Sequence, residues 1–272
     1  MSMVENAKTS AQSANPPVLL RHDEAGIAWL TLNRPAQRNA LSAELMSALQ
    51  TEIDAIAGVK SIKVVVIAGA GSAFCAGHDL RELRANPGRQ SYEAVFQQCS
   101  RLMLSLVKLP KPVIAEVHGV ATAAGCQLVA TCDLAVASEE ARFATPGVNI
   151  GLFCSTPMVA LTRAIGRKPA MEMLLTGDLI SAERARELGL VSRVVPASRL
   201  EPEVTALARQ IVAKSALTLK IGKEAFYRQA ELSLAEAYAY ASEVMTRNML
   251  ARDAEEGIDA FLEKRPPKWE DR

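Results

Sequence analysis

The stretch Val64-Val-Val-Ile-Ala-Gly-Ala-Gly-Ser-Ala-Phe-Cys-Ala-Gly-His78 decides the fold class. Its first five residues form an unbroken apolar run rich in β-branched side chains, the pattern of a strand covered on both faces, as in parallel sheets. A Gly/Ala-rich turn, Gly69 to His78, follows. The same order of events occurs again: Val113-Ile-Ala-Glu-Val117, then Gly119-Val-Ala-Thr-Ala-Ala-Gly125, then a small apolar helix to about Thr131. Small residues at such a junction let another backbone or a ligand come close, and N–H groups at a helix start lack intrahelical partners. Each junction can therefore offer donors and a positive dipole end to an anionic oxygen. Two junctions facing one point would make an oxyanion hole. The alternative is that Gly and Ala here only permit tight strand–helix packing.

Outward from these junctions, strands and helices alternate. Val18–Leu20 and Ile27–Leu32 read as strands around a turn at Asp23 to Gly26. Ser42 is an N-cap for a helix to about Ala57, with Leu45, Leu49, Ile53 and Ile56 as its stripe. A second helical pattern covers Ser91–Leu109 and stops at Pro110 and Pro112; Asp133–Ala137 is another short strand. Beyond Thr156 the pattern is almost wholly helical: a helix capped by Ser181 and closed by Gly189, then about Glu201–Lys214, Ala216–Gln229, Leu232–Leu250 and one ending near Lys264. Alternation followed by helices predicts one α/β domain with a helical C-terminal part. Its divisions are a tail over residues 1–17, a core over 18–200 and a helical region over 201–272.

The chain has 272 residues, 49% hydrophobic and 22% charged, which excludes disordered and fibrous classes. With 31 Lys and Arg against 30 Asp and Glu, it has no broad field for gripping nucleic acid or an anionic membrane. Its five cysteines form no CxxC pair and lie mostly in apolar runs, suiting reduced thiols and neither a disulfide frame nor a metal site. Met1–Pro17 is polar, without a secretory signal's basic start and apolar stretch or a transit peptide's arginines, and no segment reaches membrane-span length. A soluble, cytoplasmic protein is expected. GxGxxG fails at Phe74, no Gly-Lys-Ser/Thr follows, and neither a GxSxG elbow nor an HExxH helix occurs.

In order along the chain stand Asn33-Arg-Pro, Arg38-Asn-Ala-Leu41, Ala73-Phe-Cys-Ala-Gly-His-Asp-Leu80, Lys111-Pro-Val-Ile-Ala-Glu-Val-His-Gly119 and Gly125-Cys-Gln-Leu-Val-Ala-Thr-Cys-Asp133. Phe143-Ala-Thr-Pro146, Leu175-Thr-Gly-Asp178, Gly189-Leu-Val191 and Phe261-Leu-Glu-Lys-Arg265 continue the series. From about Val18 onward the chain resembles the crotonase family, the enoyl-CoA hydratase/isomerase superfamily. Cys-Ala-Gly-His-Asp-Leu, Ala-Ala-Gly-Cys-Gln and Phe-Cys-Ser-Thr-Pro look most like its enoyl-CoA hydratase domain-containing branch. The resemblance implies a crotonase-like ββα spiral core, C-terminal helices that build a trimer or a dimer of trimers, and an acyl-CoA thioester ligand. It implies no metal and no cofactor, coenzyme A being part of the substrate. By motif position the oxyanion donors are the N–H groups of His78 and Ala124. The adenine and pantetheine path runs beside Asn39, Ala40, Leu41, Ala76 and Gly77, and Pro146, Phe153 and Cys154 are further substrate-binding positions. Arg81 stands where a cation often meets the CoA phosphates, and Phe261 and Lys264 reach a neighbour's CoA.

Family hydratases use two glutamates to hold water and shuttle its proton; this chain has Gln127 and Gly147 there. Neither can act as a general acid or base near neutral pH, and losing positioned proton transfer removes about 10²–10⁴ in rate. A backbone oxyanion hole, worth about 10²–10³ per donor, survives such substitutions. The expected function is therefore that of an enoyl-CoA hydratase-type lyase of fatty-acid metabolism with weak or altered activity. The alternatives are another crotonase reaction (isomerisation, thioester hydrolysis or carbon–carbon cleavage) and thioester binding without turnover. Gln127 either hydrogen-bonds a water or substrate oxygen or satisfies neighbouring backbone. Cys154 is a nucleophile if its pKa is lowered, or else a small apolar filler. Asp79 is expected to cap a helix, His118 to be structural, Glu116 to pair at a sheet edge or subunit contact, and Lys111 and Arg84 to be solvated charges.

Overall fold

The computed structural model describes residues 16–272; of the predicted tail, residues 1–15 lie outside the described residues. In chain order the elements are β1 (Leu19–Glu24), β2 (Ile27–Leu32), α1 (Ala43–Ala57), β3 (Val64–Gly69), β4 (Ala73–Cys75), α2 (Leu80–Ala85) and α3 (Arg89–Lys108). Next come β5 (Val113–Val117), β6 (Val120–Thr122), α4 (Ala124–Thr131), β7 (Leu134–Ser138), β8 (Arg142–Ala144), α5 (Pro157–Ala164) and α6 (Arg167–Thr176). The chain ends with β9 (Ile180–Ser181), α7 (Ala182–Leu188), β10 (Arg193–Val195), α8 (Leu200–Val212), α9 (Ala216–Gln229), α10 (Leu234–Met249) and α11 (Arg252–Leu262).

Two sheets result, one in the order β1-β2-β3-β5-β7-β10 and a smaller one in the order β4-β6-β8-β9. β3, β5 and β7 join the large sheet in parallel, and the short strand after each joins the small one. Strand, strand, then helix, repeated, is the ββα spiral of the crotonase fold.

The apolar run at Val64–Ala68 is buried throughout because both faces of the large sheet are covered. On one face Val65, Ile67, Val113, Ala115 and Val117 meet Leu45, Leu49 and Ile53 of α1 and Leu102 and Leu106 of α3. On the other, Val64, Val66, Ile114 and Val136 meet Leu200, Val204, Leu207 and Ala208 of α8. Each fully buried Val, Ile or Leu is worth about 1.5–3 kcal/mol, so the central strands anchor both layers. The division at 200/201 falls at the start of α8, a helix that lies on the sheet itself.

Several expectations are corrected. The Gly/Ala stretches contain strands β4 and β6, and the helical half contains β9 and β10; two- and three-residue strands are too short to show a period. Glu116 lies in β5, flanked by β3 and β7, and so is not at a sheet edge. Burial, with Glu201 adding repulsion, pushes its carboxyl up to about 7. Lys111 is buried, its ammonium donating to the Val59 and Ile62 carbonyls at 2.9 and 2.7 Å. Position 133 carries more than a strand start. The Lys223 side chain of α9, 7% exposed, donates to Asp133 Oδ2 at 2.6 Å and to the Leu106 and Lys111 carbonyls at 2.9 Å each. Tyr227 donates to Asp133 Oδ1 at 2.9 Å, so this network fixes α9 to the core.

Candidate functional site

β3 and β5 run parallel with Ile67 beside Ala115, so the segments leaving their C-terminal ends stay neighbours. Pairing of β4 with β6, Ala73 beside Val120 and Cys75 beside Ala121, keeps them together. In open α/β sheets this end of the strands is where ligands bind. Two glycines allow the closest approaches. A Cβ on Gly125 would stand 2.1 Å from the Cys75 carbonyl oxygen, so only glycine lets the start of α4 rest on β4. Gly77, at φ +99, would direct a Cβ to 2.9 Å from Ala123 Cβ and 3.5 Å from the Ala124 nitrogen. The two junctions therefore touch where the sequence places the donors.

Neither the His78 nor the Ala124 N–H has a hydrogen-bond partner among the described residues. Ala124 opens α4, and Ala123 before it has φ 49 and ψ −118 with no side-chain cap. An L residue in such a region stores about 1–3 kcal/mol, which surrounding structure must hold. The hold is visible: the Ala123 N–H donates to the Ala144 carbonyl at 2.9 Å. On the other flank, Leu41 N–H donates to the Gly77 carbonyl at 2.7 Å, Ala76 N–H to Arg38 at 3.0 Å and Asp79 N–H to Leu41 at 3.2 Å.

The side chains nearby are neutral or already engaged. Among the described residues neither buried His78 ring nitrogen has a partner, and the ring meets Phe96 of α3 edge-on at 5.6 Å. Burial lowers its pKa, only partly opposed by the Leu41 backbone, so the imidazole stays neutral. Gln127 is 5% exposed, and among the described residues its Oε1 accepts from nothing. It lines a cavity of about 510 Å³ with Met103, Leu104, Val159 and Tyr227. Glu231 also borders this cavity, but it is exposed and paired with Arg163 at 3.2 Å. At Gly147 a side chain has no room: a Cβ would lie 2.7 Å from the Leu152 carbonyl oxygen and 2.9 Å from Cys154 Sγ. The Gly147 N–H donates to that sulfur at 3.3 Å. Burial pushes the Cys154 thiol up despite this donor, so the sulfur is a filler and not a thiolate.

Of the expected ligand path, Ala40 and Leu41 are buried beside His78, Ala76 is half-buried and Gly77 buried. Asn39 is fully buried and its amide is spent. It donates to the Ala70 and Ala73 carbonyls at 2.8 and 2.7 Å and accepts from Arg34 N–H at 2.9 Å, leaving no donor for a ligand. Asp79 caps α2, accepting from Arg81 and Glu82 N–H at 3.1 and 3.3 Å, and pairs with Arg34 at 2.9 Å. The Arg81 side chain is exposed, Pro146 packs near Gly177, and Phe153 stands partly exposed next to Cys154. Phe261 (81% exposed) and Lys264 lie at the end of α11 as free surface. Phe96 and Tyr227 carried no functional expectation in the sequence; neither sits in a Gly-rich motif, and only the packing of α3 and α9 brings them here.

A family model described as enoyl-CoA hydratase/isomerase matches residues 22–272. Enoyl-CoA hydratase domain-containing protein 3, mitochondrial, of Xenopus laevis is 48% identical over 261 residues, covering 96% of this chain and 89% of that protein. A solved structure of enoyl-CoA hydratase from Mycobacterium smegmatis superposes with TM-score 0.92 at 53% identity, over 93% of this chain and 99% of that one. The human enoyl coenzyme A hydratase domain-containing protein 3 gives TM-score 0.90 at 48% identity, over 93% and 100%. The branch expected from Cys75–Leu80, Ala123–Gln127 and Phe153–Pro157 is the one the Xenopus and human proteins represent. One expectation is overturned: the Xenopus protein and its human counterpart are named mitochondrial, so the cytoplasmic location inferred from the polar N-terminus does not stand. Among the described residues, no helix is long and apolar enough to cross a membrane.

Proposed function

The chain belongs to the enoyl-CoA hydratase/isomerase family, and from that premise we propose that it binds an acyl-CoA thioester whose carbonyl oxygen is polarised by the His78 and Ala124 N–H groups. The observation that carries this reading is that both amides lack partners where Gly77 and the start of α4 touch. Donors held there by the fold cost no reorganisation when negative charge develops on the oxygen. The cavity beside Gln127, of about 510 Å³, receives the acyl chain. Proton transfer is the missing half. Gln127 and Gly147 bring no carboxyl, the His78 ring is buried and uncharged, and the Cys154 thiol is protonated. The function is thus enoyl-CoA hydratase-like in binding and enolate stabilisation, with hydration of an enoyl thioester weak.

The exposed Phe226, Leu234, Tyr238 and Leu250 of the C-terminal helices support assembly as a trimer or a dimer of trimers through that region. Ultraviolet assay of crotonyl-CoA hydration, run beside calorimetric titration with a non-reactive acyl-CoA, tests the proposal. Binding is expected, with turnover about 10²–10⁴-fold below that of a hydratase carrying both glutamates. Turnover at ordinary hydratase rates, or no binding, refutes it.

A further inference from the structure

Each of the two donor residues stands at the head of a helix face. His78 meets Phe96 edge-on at 5.6 Å, and from Phe96 the face of α3 continues at helical spacing through Ser100, Met103, Leu104 and Val107. Ala124 opens α4, where Gln127 and Thr131 follow on the same face. Ser100 and Gln127, each one turn past its head residue, line the cavity of about 510 Å³, and so do the residues that follow them. Val159 and Ala160 of α5 complete its wall. The cavity is therefore a groove that begins beside the donors and runs away from them between three helices.

Beyond Gln127 the groove suits a hydrocarbon. Its hydroxyls are spent on the protein: Ser100 donates to the Phe96 carbonyl at 2.8 Å, Thr131 to the Gln127 carbonyl at 2.7 Å and Tyr227 to Asp133 at 2.9 Å. Among the residues lining it, only Arg163 and Glu231 are charged, and they pair with each other at 3.2 Å. Leu104 and Val159 are 54% and 50% exposed, apolar surface at the rim that a chain lying in the groove would cover. From Ser100 to Val107 is seven steps along α3, about 10.5 Å at 1.5 Å per residue. A carbon–carbon bond advances a chain by no more than about 1.5 Å, so spanning that length takes at least about seven bonds.

We propose that the thioester taken here carries an unsubstituted alkyl chain of about eight carbons or more, and that Leu104, Val159 and Ala160 set this preference. The inference rests on the thioester-binding reading above and names the substrate class within it. A butyryl chain ends within the first turn of the groove and leaves the rest uncovered.

The test is calorimetric titration of the full chain with butyryl-, hexanoyl-, octanoyl- and adipyl-CoA. Octanoyl-CoA is expected to bind about tenfold more tightly than butyryl-CoA, half on a logarithmic scale of what complete burial of its four further methylenes would give. Adipyl-CoA, which ends its chain in a carboxylate, should bind less tightly than hexanoyl-CoA, because the one cation of the groove is already paired. Ala160→Phe, which puts a ring into the groove, should bring the octanoyl-to-butyryl ratio close to one. Leu104→Glu, at the exposed rim, should lower the ratio without disturbing the core, and carries the test if Ala160→Phe fails to fold. Equal affinities for octanoyl- and butyryl-CoA, tighter binding of adipyl- than of hexanoyl-CoA, or a ratio untouched by the variants would overturn the proposal; the last would place long chains on the exposed C-terminal helices instead. If no thioester binds, the thioester-binding reading fails too, whereas if all bind alike that reading stands and this inference alone falls.

Discussion

Position 147 permits a sharp test, because the loop that follows it occupies the space a side chain would need. In Gly147→Ala the new Cβ would approach the Leu152 carbonyl oxygen to 2.7 Å and Cys154 Sγ to 2.9 Å, where ordinary contact begins at 3.4 Å. The overlaps are 3.4 − 2.7 = 0.7 Å and 3.4 − 2.9 = 0.5 Å. Inserting a methyl group into a packed site of this kind costs about 1–3 kcal/mol. Cys154→Ala by itself loses the Gly147 N–H···S contact and opens a small void, a cost of about 1 kcal/mol. In the double variant the void accepts the methyl group, and the Leu152 overlap persists with a slight one, at 3.3 Å, on the backbone nitrogen of residue 154. The double variant should therefore be more stable than the sum of the single effects predicts, by about 1 kcal/mol. Denaturant unfolding of the four proteins in a double-mutant cycle measures this coupling. Additivity within about 0.3 kcal/mol would show that Cys154 does not close the position. The result bears on chemistry, since a glutamate at 147 is blocked by the same atoms. Gln127→Glu alone supplies one carboxyl and leaves the second position filled by the Cys154 loop.

Gly125→Ala should be far more damaging, because its Cβ would fall 2.1 Å from a backbone oxygen that cannot rotate away. The start of α4 must lift from β4, so thioester binding should be lost and the melting temperature lowered; a variant that binds normally would refute the close-packed junction. Glu116 predicts a pH effect of defined sign. Its folded pKa, about 7, lies above the ordinary 4.5, so the folded chain holds the proton more tightly. Its contribution is therefore full below about pH 4.5 and is lost as pH rises through 7, by up to about 3 kcal/mol. Glu116→Gln should flatten that decline between pH 5 and 8 in denaturant titrations, and an unchanged slope would refute the assignment.

Much of this was legible in the sequence, for physical reasons that differ from residue to residue. The run at Val64–Ala68 announced a strand covered twice, and α8 supplies the second cover. Ser42, Asp79 and Ser181 announced caps, and each accepts the expected N–H. Gly77 and Gly125 announced close approach, although their true constraint, contact with Ala123 and Cys75, is set by pairing between β4 and β6, strands too short to leave a period. Asn39 misled, because a polar side chain in a motif looks like a ligand contact until its amide is found spent on Ala70 and Ala73. Lys111 misled for the converse reason: a lysine reads as surface charge unless carbonyls gathered from distant segments receive it. Thr145 lies in the Phe143–Pro146 motif, which marks it only as a family position. What singles it out is a buried hydroxyl with no partner among the described residues, and only the folded chain can show that.

The division between what this site retains and what it lacks follows from where each kind of group is stored. The His78 and Ala124 donors are backbone, fixed by β-pairing, by Gly77 and by the strained Ala123, and no substitution at 127 or 147 removes them. Proton transfer resides in side chains, which single substitutions remove without disturbing α4 or β8. The absence of a side chain at 147 would by itself leave a gap. Instead Cys154 fills the space at Gly147 and a neutral amide stands at 127, so the loop is packed as a finished surface. Under the proposed function, such a site holds charge developing on a carbonyl oxygen, while Gln127 and Gly147 bring no carboxyl to deliver or remove a proton. Chemistry added to it must therefore come with its own acid or base, brought by the ligand or by a redesigned loop after residue 147.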